Sequence, residues 1–565
     1  MRFAVIDAET DPFAHGADIA PFVWGFYDGA IYERFDSTQA LVSFLVEQDC
    51  LVYAHNGGKF DYHFLLPWIA PGQEILVING RIAKVMLGKA ELRDSYNILP
   101  VPLKAYQKED FDYNILTKEK RYLPGNYEKI CTYLKSDCVN LWKIVSAFID
   151  KYGPVISQAS AAITALGESI DRRTPKSTPG FFTAFQPWYF GGRVQCFKTG
   201  WKREDFSVYD IRSAYPFAML SPHPFGTGYT TVKRFRLDSC YESPQSLYKI
   251  HCISHKGAFP WREKIGAKLI FPTDNMAREY HVTGWELRAA LNHDAIKKPI
   301  VLSRTDFHDV QHFADFILPA YSARKRISDS PLEADIAESL LLKLRMNSAY
   351  GKFGANPSEY TRNVLFPLDA LGALKGWKDA NGIEHGAQFE GREYRAAHDT
   401  VLGNCLLGSR PLDRHEQRFY NVATAASITG FVRAFLWESM QTCDGVIYCD
   451  TDSIVCRNGD GLKIGKNLGD FNKEGNFNAW YIGGRKLYAL ESHEPETVNS
   501  LISKGAFHTP DKKTAYKIAS KGARLLPDEI KKIARGGSVD YYRDAPTFSL
   551  AHGMRYTKRT IKATE

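Results

Sequence analysis

The sequence predicts a multidomain protein of the α/β and α+β classes. Its 565 residues exceed what one hydrophobic core usually supports, so several domains are expected. Residues 1–9 and Leu51–Ala54 have the pattern of strands, and residues 127–149 carry apolar side chains at helical spacing. Prolines and glycines in residues 169–187 then interrupt both patterns, which is typical of a linker between domains.

The rest of the chain continues this mixture of strands and helices. Residues 207–211 and 446–449 predict strands; Asp210 lies at the end of the first, and Asp450 follows the second directly. Residues 312–350 have helical periodicity interrupted near Pro331, which predicts two antiparallel helices. Residues 355–418 are rich in glycine, proline and charge, so we expect an irregular insertion there.

Composition limits the class of protein. With 44% hydrophobic and 24% charged residues, the chain is typical of a soluble globular protein. The charged start excludes a signal peptide, and no apolar run is long enough to cross a bilayer. The ten cysteines form no CxxC pair and no zinc-type cluster, which favours reduced thiols. We therefore expect a cytoplasmic protein that binds no membrane.

Positive charge is concentrated in the C-terminal segment, residues 501–565. This segment holds 14 Lys and Arg against 6 Asp and Glu, a difference of +8 that equals the net charge of the whole chain. Such a segment indicates contact with a polyanion, although a solvated charged surface has the same composition.

Two acidic motifs stand at the ends of predicted strands. Asp450 and Asp452 are two residues apart, so on a strand their carboxylates project from one face. Asp210 ends the other strand, shortly before Ser213 and Tyr215. Neighbouring carboxylates repel unless a cation lies between them, and carboxylate oxygens suit Mg²⁺. These three aspartates, the central acidic site, could hold two Mg²⁺ for in-line phosphoryl transfer; a capping aspartate in a turn is the alternative.

A candidate nucleotide-binding helix lies between Asp210 and Asp450 in the sequence. Lys343, Asn347 and Tyr350 are spaced i, i+4 and i+7, so a helix places them on one face. A cation for phosphate and a ring for the base would suit a nucleoside triphosphate. An amphipathic helix with an exposed lysine would show the same spacing.

A second acidic group lies near the N-terminus. Asp7 and Glu9 share one face of the first strand, and Tyr133 and Asp137 share one face of the helix predicted over residues 127–149. With Asp61 they make four acids and a phenol that can orient water. Asp7, Glu9, Asp61 and Asp137, the N-terminal acidic site, are suited to two-metal hydrolysis of a phosphodiester.

These motifs occur together, and in order, as in family B DNA polymerases. Asp7–Glu9, Asn56–Asp61 and Tyr133–Asp137 resemble the three exonuclease motifs of that family. The segment from Asp210 to Pro216 resembles its DxxSLYP motif, with Ala214 in place of leucine. The segment from Lys343 to Gly351 matches KxxxNSxYG, and the segment from Tyr448 to Asp452 matches YxDTD.

Further motifs resemble the protein-primed subgroup, and most closely the polymerases of tailless, membrane-containing bacteriophages. Tyr189, Gly191 and Gly192 match the YxGG element that helps partition a primer between the two active sites. Thr429 and Arg433 resemble the Tx2xR element, Lys486 and Tyr488 match KxY, and Lys108 begins a segment similar to Kx2h. Ser95 is followed by Tyr96, where the subgroup usually has leucine.

The resemblance implies a ribonuclease H-like 3′→5′ exonuclease domain followed by a right-hand polymerase with two palm insertions. The implied parts are the exonuclease domain (1–150), a linker (151–188), the first palm part (189–223), insertion 1 (224–311), the fingers (312–354), insertion 2 (355–418), the second palm part (419–521) and the thumb (522–565). In the family, insertion 1 docks a terminal protein and insertion 2 supports processivity.

The resemblance also implies roles for single residues. The three aspartates of the central acidic site and the four acids of the N-terminal acidic site would each hold two Mg²⁺, with Mn²⁺ as a substitute, and Tyr133 would assist hydrolysis. Nucleotide contacts are implied for Ser213, Tyr215, Arg324, Lys343, Asn347, Tyr350 and Gly351. DNA contacts are implied for Asn56, Phe60, Ser95, Lys108, Tyr189, Gly191, Gly192, Thr429, Arg433, Lys486 and Tyr488.

The expected partners are template-primer DNA, dNTPs and a terminal protein that supplies the priming hydroxyl, and the polymerase itself is expected to be monomeric. If the chain is phage-encoded, its place is the cytoplasm of a bacterial host. Three alternatives remain open: initiation from a nucleic-acid primer or without one, a repair nuclease that acts alone, and an inert DNA-end protein.

Overall fold

The computed structural model describes residues 2–100, 103, 111–235, 243–327, 330, 333–379 and 381–564. These residues form two large β-sheets of eleven and eight strands, a four-stranded sheet and several two-stranded ribbons. No helix of this described part combines the length and the apolar character needed to cross a membrane.

The N-terminal domain is a mixed sheet with helices on both faces. Its strands are β1 (Phe3–Thr10), β2 (Pro21–Tyr27), β3 (Tyr32–Phe35), β4 (Leu51–Ala54), β5 (Gln73–Ile78), β6 (Arg81–Leu87) and β7 (Ala90–Asp94), and its helices are α1 (Thr38–Leu45), α2 (Asp61–Leu65) and α3 (Asn126–Tyr152). Alternation along β1 sends Val5 into the core under α3 and Ile6 into the core on the opposite face, where α1 and α2 pack. The predicted strands and the long helix are confirmed.

Two helices occupy residues 151–188, where the sequence indicated a linker. They are α4 (Gln158–Ser169) and α5 (Pro179–Phe185). Each begins at a hydroxyl cap, since Ser157 accepts a hydrogen bond from the Ser160 N–H and Thr178 accepts one from Phe181. Small apolar residues of α4 pack in the main core of the C-terminal half, so this connection is a structured part of that core.

The second large sheet is antiparallel, with strand order β26-β27-β25-β24-β9-β23-β22-β8. The elements that build and cover it are β8 (Val194–Cys196), β9 (Gly200–Ile211), α6 (Ala214–Ala218), α11 (Val422–Gln441), β22 (Asp444–Asp450), β23 (Ser453–Asn458), β24 (Phe471–Gly484), β25 (Leu487–Ser492), α12 (Pro495–Ser503), β26 (Phe507–His508) and β27 (Ala515–Ser520). Helix α11 is apolar around its circumference and lies buried in the main core, as expected of a fully covered helix.

Insertion 1 and the predicted fingers lie between the two parts of this sheet. They contain β10 (His223–Pro224), β11 (Tyr229–Phe235), β12 (Leu247–Ser254), β13 (Ala277–Thr283), α7 (Gly284–Asn292), β14 (Ile296–Phe307), β15 (Val310–Gln311), α8 (Ala314–Ile327) and α9 (Glu333–Phe353). Strands β11, β14, β12 and β13 form the four-stranded sheet. The two predicted helices are present as α8 and α9, which pack against each other.

Insertion 2 is ordered β structure, so its interpretation as an irregular segment was wrong. It contains β16 (Thr361–Pro367), α10 (Leu371–Lys375), β17 (Trp377–Lys378), β18 (Glu384–His385), β19 (Ala387–Phe389), β20 (Arg392–Leu402) and β21 (Cys405–Pro411). Strand β16 pairs antiparallel with β5 of the N-terminal domain, which extends that sheet to eleven strands. Pairing with a strand nearly 300 residues away leaves no local signal in the sequence.

The end of the chain returns to the N-terminal domain. It contains α13 (Pro527–Ala534), β28 (Ser538–Tyr542), β29 (Thr547–Ser549), β30 (Gly553–Arg555) and β31 (Lys558–Lys562). Leu550, in the turn between β29 and β30, is buried in the N-terminal core, and the Tyr556 hydroxyl donates a hydrogen bond to the Ala17 carbonyl.

Candidate active sites

Strand pairing brings the central acidic site together. Strand β23 lies between β22 and β9, and Ser453 is opposite Asp450 on one side and Asp210 on the other. The Ile211 N–H donates a 2.8 Å hydrogen bond to the Asp452 carbonyl. Aspartates that are far apart in the chain therefore meet at one end of neighbouring strands.

The turn that carries two of these acids is tightly held. Thr451 has φ +60°, a left-handed conformation that is rare for a β-branched residue. Its N–H donates a 2.6 Å hydrogen bond to the Arg193 carbonyl. A Cβ on Gly192 would lie 2.8 Å from the Thr451 methyl group, so only glycine allows this close approach.

Burial and mutual repulsion perturb the central carboxylates. The pKa of Asp210 is raised to about 7, first by burial and then by Asp452 and Glu474. The pKa of Asp452 is raised to about 6, first by burial and then by Asp450. Both shifts indicate that negative charge on these neighbouring carboxylates is unfavourable when no cation is present. A bound divalent cation would relieve that repulsion.

Glu474 is a fourth acid near this site that the sequence did not indicate. It lies at an irregularity in the pairing of β24 with β9, between Lys473 and Gly475. Its carboxylate is paired with Lys517. Glu474 belongs to none of the motifs, and a bulge on a long strand cannot be read from residue spacing.

Several predicted nucleotide-binding residues lie near the central acidic site. Lys343 and Asn347 are exposed on α9, and Tyr350 lies on the same face. The charge of Lys343 partly offsets the burial that raises the pKa of Asp210. The rings of Tyr215 and Tyr350 are stacked, with centroids 4.2 Å apart. The structure therefore brings Lys343, Tyr215 and Tyr350 near the central acids, and Asn347 lies on the same helix as Lys343.

Three further predicted residues lie in or next to the helices α6, α8 and α9. Ser213 begins α6 in a left-handed conformation with φ +54°. A Cβ on Gly351 would meet no protein atom within 4 Å, so protein packing does not require glycine there. Arg324 lies in the last turn of α8, and its Nε has no hydrogen-bond partner among the described residues.

Tyr488 approaches the site from β25, and Lys486 approaches it from the turn before that strand. The Lys486 ammonium lies 2.9 Å from the Asp450 carboxylate. The Tyr448 hydroxyl accepts a 3.1 Å hydrogen bond from the Lys486 N–H and donates one to Asp450. The Tyr488 ring packs against that of Tyr448. A groove of about 460 Å³ beside them also exposes Arg485 and Lys521, which makes it a basic channel.

Thr429 and Arg433, predicted to contact DNA, are both buried on α11. The Thr429 hydroxyl donates to the Ala426 carbonyl. The Arg433 guanidinium lies 2.8 Å from the Glu286 carboxylate and donates to the carbonyls of Phe190 and Gly191 at 2.7 and 3.0 Å. In this structure neither side chain offers a surface to DNA, and Arg433 instead holds the backbone beside Tyr189.

The N-terminal acidic site is also assembled by the fold. Carboxylate oxygens of Asp7, Glu9 and Asp137 lie within 4.8 Å of one another, and Asp61 is buried at the start of α2. Burial, followed by repulsion from neighbouring acids, raises the pKa of Asp7 well above its usual range and that of Glu9 to about 8. Burial raises the pKa of Asp61 to about 7. This donor set fits a divalent cation.

Tyr133 lies at the edge of this site on α3, one turn before Asp137. Its hydroxyl is 3.1 Å from that of Tyr113, and its ring stacks on Phe111 at 4.1 Å between centroids. Burial raises the pKa of Tyr133, and the hydrogen bond with Tyr113 and the charge of Asp137 raise it further. The phenol therefore stays protonated and able to donate.

The predicted single-strand contacts differ in accessibility. Asn56 has φ +64°, and its side-chain oxygen accepts a 2.8 Å hydrogen bond from Arg81. Ser95 is fully buried, with its hydroxyl donating to the Ala54 carbonyl and lying 3.1 Å from the His55 Nδ1. Ser95 thus has no exposed surface for a DNA strand in this structure. Lys108 lies outside the described residues.

Phe60 belongs to an aromatic group that the sequence did not indicate. Its ring contacts those of Phe13, Phe64 and Phe548 with centroids 5.3 to 5.6 Å apart. Phe13 is 45% exposed, whereas Phe548 comes from the last part of the chain. No spacing rule could have joined residues so far apart.

Comparison with known proteins gives one consistent answer. A family model described as DNA polymerase type B, organellar and viral, matches residues 103–382. The DNA-directed DNA polymerase of Enterobacteria phage PRD1 is 33% identical over 587 aligned residues, covering 100% of this chain and 98% of that protein. The DNA polymerase of Streptococcus phage Cp-1 is 24% identical, covering 59% of this chain and 55% of that protein.

Solved structures agree at the level of the fold. The Phi29 DNA polymerase complexed with primer-template DNA superimposes with a TM-score of 0.71 at 18% identity, and the match covers 100% of both chains. Its ternary complex with primer-template DNA and incoming nucleotide substrates gives a TM-score of 0.70, also at 18% identity over 100% of both chains. The predicted fold class, an exonuclease domain followed by a right-hand polymerase, is confirmed.

Proposed function

Because this chain belongs to the organellar and viral type B DNA polymerases, we propose that its central acidic site extends DNA and its N-terminal acidic site removes mispaired ends. The observation that carries this proposal is the pairing of β9, β23 and β22, which brings Asp210 and Asp452 together beside Lys343. Membership of the family makes the chain a DNA-directed DNA polymerase.

In the extension reaction, Asp210 and Asp452 would hold two Mg²⁺. When bound, these ions supply a clamp for the attacking and leaving oxygens of the phosphoryl group. Lys343 and Arg324 neutralise charge on the triphosphate. Lys486 restrains Asp450 through its 2.9 Å ion pair and would steady the primer end. Tyr215 and Tyr350 form the wall on which the sugar and the nascent base pair rest.

In the hydrolytic reaction, Asp7, Glu9 and Asp137 would hold divalent cations that activate water. Tyr133 keeps its proton, so its hydroxyl can orient that water. The exposed ring of Phe13 and the neighbouring Phe60 provide a stacking surface for an unpaired strand. Ser95 acts through His55, which it holds in place.

Initiation on a protein hydroxyl is the finer part of the proposal. It is supported by the similarity to the polymerase of phage PRD1 over the whole chain and by the presence of insertion 1, for which the resemblance to the protein-primed subgroup implies docking of a terminal protein. The partner would present a serine, threonine or tyrosine hydroxyl to the central acidic site in place of a primer end.

Two assays test these proposals. Extension of a primer-template should need both Asp210 and Asp452, so Asp210→Asn or Asp452→Asn should abolish it while degradation of single-stranded DNA persists. Degradation without any extension by the native chain would support a nuclease that acts alone. Incubation with labelled dNTP, Mg²⁺ and a candidate partner should label that protein covalently; labelling that requires an oligonucleotide instead would support a nucleic-acid primer.

A further inference from the structure

Two arginines hold residues 186–193, the short segment that connects α5 to β8 of the eight-stranded sheet. The buried Arg433 donates to the Phe190 and Gly191 carbonyls at 2.7 and 3.0 Å. Arg262, which belongs to insertion 1, donates to the Tyr189 carbonyl at 3.2 Å and to the Gln186 carbonyl at 3.4 Å. The segment is therefore fixed by one side chain from α11 and by one from insertion 1.

Both guanidinium groups also contact one ring. The Arg262 Cζ lies 4.6 Å and the Arg433 Cζ 5.6 Å from the centroid of Phe190. Burial, and then the charge of Arg433, lower the pKa of Arg262. Placing two cations this close is unfavourable by itself, so the carbonyls and the ring must compensate for their repulsion.

The same segment touches the catalytic turn. A Cβ on Gly192 would lie 2.8 Å from Thr451, between Asp450 and Asp452, and the Thr451 N–H donates to the next carbonyl, that of Arg193. At its other end the Tyr189 ring lies against Gly354, where a Cβ would come within 2.4 Å of the ring. A shift of the segment therefore moves atoms that border both the central acidic site and the end of α9.

We propose that Arg262 is a positioning residue through which insertion 1 fixes the segment at Tyr189 and thereby seats the primer end at the central acidic site. Arg262 lies in the connection between β12 and β13, so its hydrogen bond to the Tyr189 carbonyl links insertion 1 to the segment that contacts the catalytic turn. The inference rests on the proposed function, because it assumes that the two acidic sites share one primer end.

The test compares Arg262→Ala and Arg262→Lys with Arg278→Ala as a matched control. Arg278 contacts Trp261, next to Arg262, with its Cζ 5.2 Å from the ring centroid, but it pairs with Asp274 at 2.6 Å rather than with the segment. Thermal unfolding and the rate of degradation of single-stranded DNA, which needs no primer transfer, should stay close to those of the native chain in all three variants.

The first measurement is the dNTP concentration at which net degradation of a primer-template changes to net extension. Because a primer end that is seated less firmly at the central acidic site spends more time at the N-terminal acidic site, we expect Arg262→Ala to raise this concentration by about tenfold. Arg262→Lys, which retains one donor, should give a smaller increase, and Arg278→Ala should give none. An unchanged concentration in Arg262→Ala, or an equal increase in Arg278→Ala, would overturn the proposal.

The second measurement uses the Asp7→Ala, Glu9→Ala background, in which the N-terminal acidic site is inactive. There Arg262→Ala should raise the KM for primer-template while kcat for extension changes little, since the primer end is seated less firmly. An unchanged KM would also overturn the proposal. If the native chain removes no mismatches at all, no variant changes from net degradation to net extension, and the two-site proposal fails. The second measurement still decides the role of Arg262 in that case.

Discussion

Tyr215 and Tyr350 lie face to face, with ring centroids 4.2 Å apart and planes inclined by 11°. One ring comes from α6, which follows Asp210, and the other from α9. Burial raises the pKa of both phenols, so both remain neutral hydroxyls. We propose that this stack forms a wall against the sugar of an incoming nucleotide.

Replacing Tyr215 with valine should weaken discrimination against ribonucleotides. The smaller side chain leaves room for a 2′-hydroxyl, the group that distinguishes the two kinds of precursor. We expect the ratio of kcat/KM for dNTP over rNTP to fall by at least about tenfold, which is ~1.4 kcal/mol. Tyr215→Phe keeps the ring and should keep the ratio. Single-nucleotide incorporation kinetics measure it, and unchanged discrimination in the valine variant would refute the steric role.

The double variant Asp7→Ala, Glu9→Ala should separate the two activities. Removing two of the three carboxylates that lie within 4.8 Å of one another leaves too few ligands for the divalent cations. Removal of a 3′ mismatch should be abolished, whereas extension of a matched primer should continue at the native rate. Gel assays with mismatched and matched primers measure both activities. Equal loss of the two would contradict the assignment of separate sites.

Local patterns predicted the acidic sites because strand and helix geometry fixes neighbouring side chains. The placement of Asp7 with Glu9 on β1 and of Tyr133 with Asp137 on α3 follows directly from periods of 2 and 3.6 residues. Asp450 and Asp452 are instead joined by a turn, because β22 ends at Asp450 and Thr451 is left-handed, so the prediction that both lie on one strand was wrong. The pattern could not show whether a side chain is buried. Thr429, Arg433 and Ser95 match binding motifs, yet all three are buried and form hydrogen bonds inside the protein.

Long-range pairing accounts for the other differences. Strand β16 of insertion 2 joins the N-terminal sheet because β5 offers it an unpaired edge, and the glycine-rich, charged composition of the insertion concealed its strands. The contact of Phe548 with Phe60 joins the two ends of the chain. Such contacts depend on the assembled surfaces of several elements, and no window of the sequence contains both partners.

The acidic sites should make Mg²⁺ a stronger stabiliser at higher pH. The pKa values of Asp210 and Asp452 rise on folding from 3.8 to about 7 and about 6. Protonation therefore favours the folded state, and this stability, complete below pH 3.8, is lost as the pH rises through 6 and 7. A bound cation replaces those protons, so the Mg²⁺-induced increase in Tm should be larger at about pH 8 than at about pH 6.

Thermal unfolding in EDTA and in Mg²⁺ at both pH values measures this effect. In the variant Asp210→Asn, Asp452→Asn, the Mg²⁺-induced increase in Tm should differ less between the two pH values. The reason is that Asp210 and Asp452 no longer titrate. An Mg²⁺ effect that is independent of pH in the native chain would show that these carboxylates are not the binding groups.

Phe548 should be needed to anchor the C-terminal segment to the N-terminal domain. Its ring is 6% exposed and contacts Phe60, Phe64 and His63. Phe548→Ala should reduce the free energy of unfolding by about 3–5 kcal/mol, as is usual for a buried phenylalanine, if the protein unfolds as one unit. Denaturant unfolding measures the loss. A matched substitution of the exposed Phe507 should cost much less, and equal losses would contradict the anchoring role.

The basic C-terminal segment should make duplex binding depend steeply on salt. Each phosphate neutralised by a lysine or arginine contributes about 0.9 to the slope of log affinity against log salt concentration. Lys558 and Lys562 are exposed at alternate positions of β31, so their side chains share one face.

The double variant Lys558→Ala, Lys562→Ala should lower the slope by about 2 if both contact phosphate. Lys89→Ala, which removes an exposed lysine paired with Glu47 in the N-terminal domain, should leave it unchanged. Fluorescence anisotropy with a labelled duplex at several salt concentrations measures the slope, and equal slopes for the native chain and the double variant would remove β31 from the DNA-binding surface.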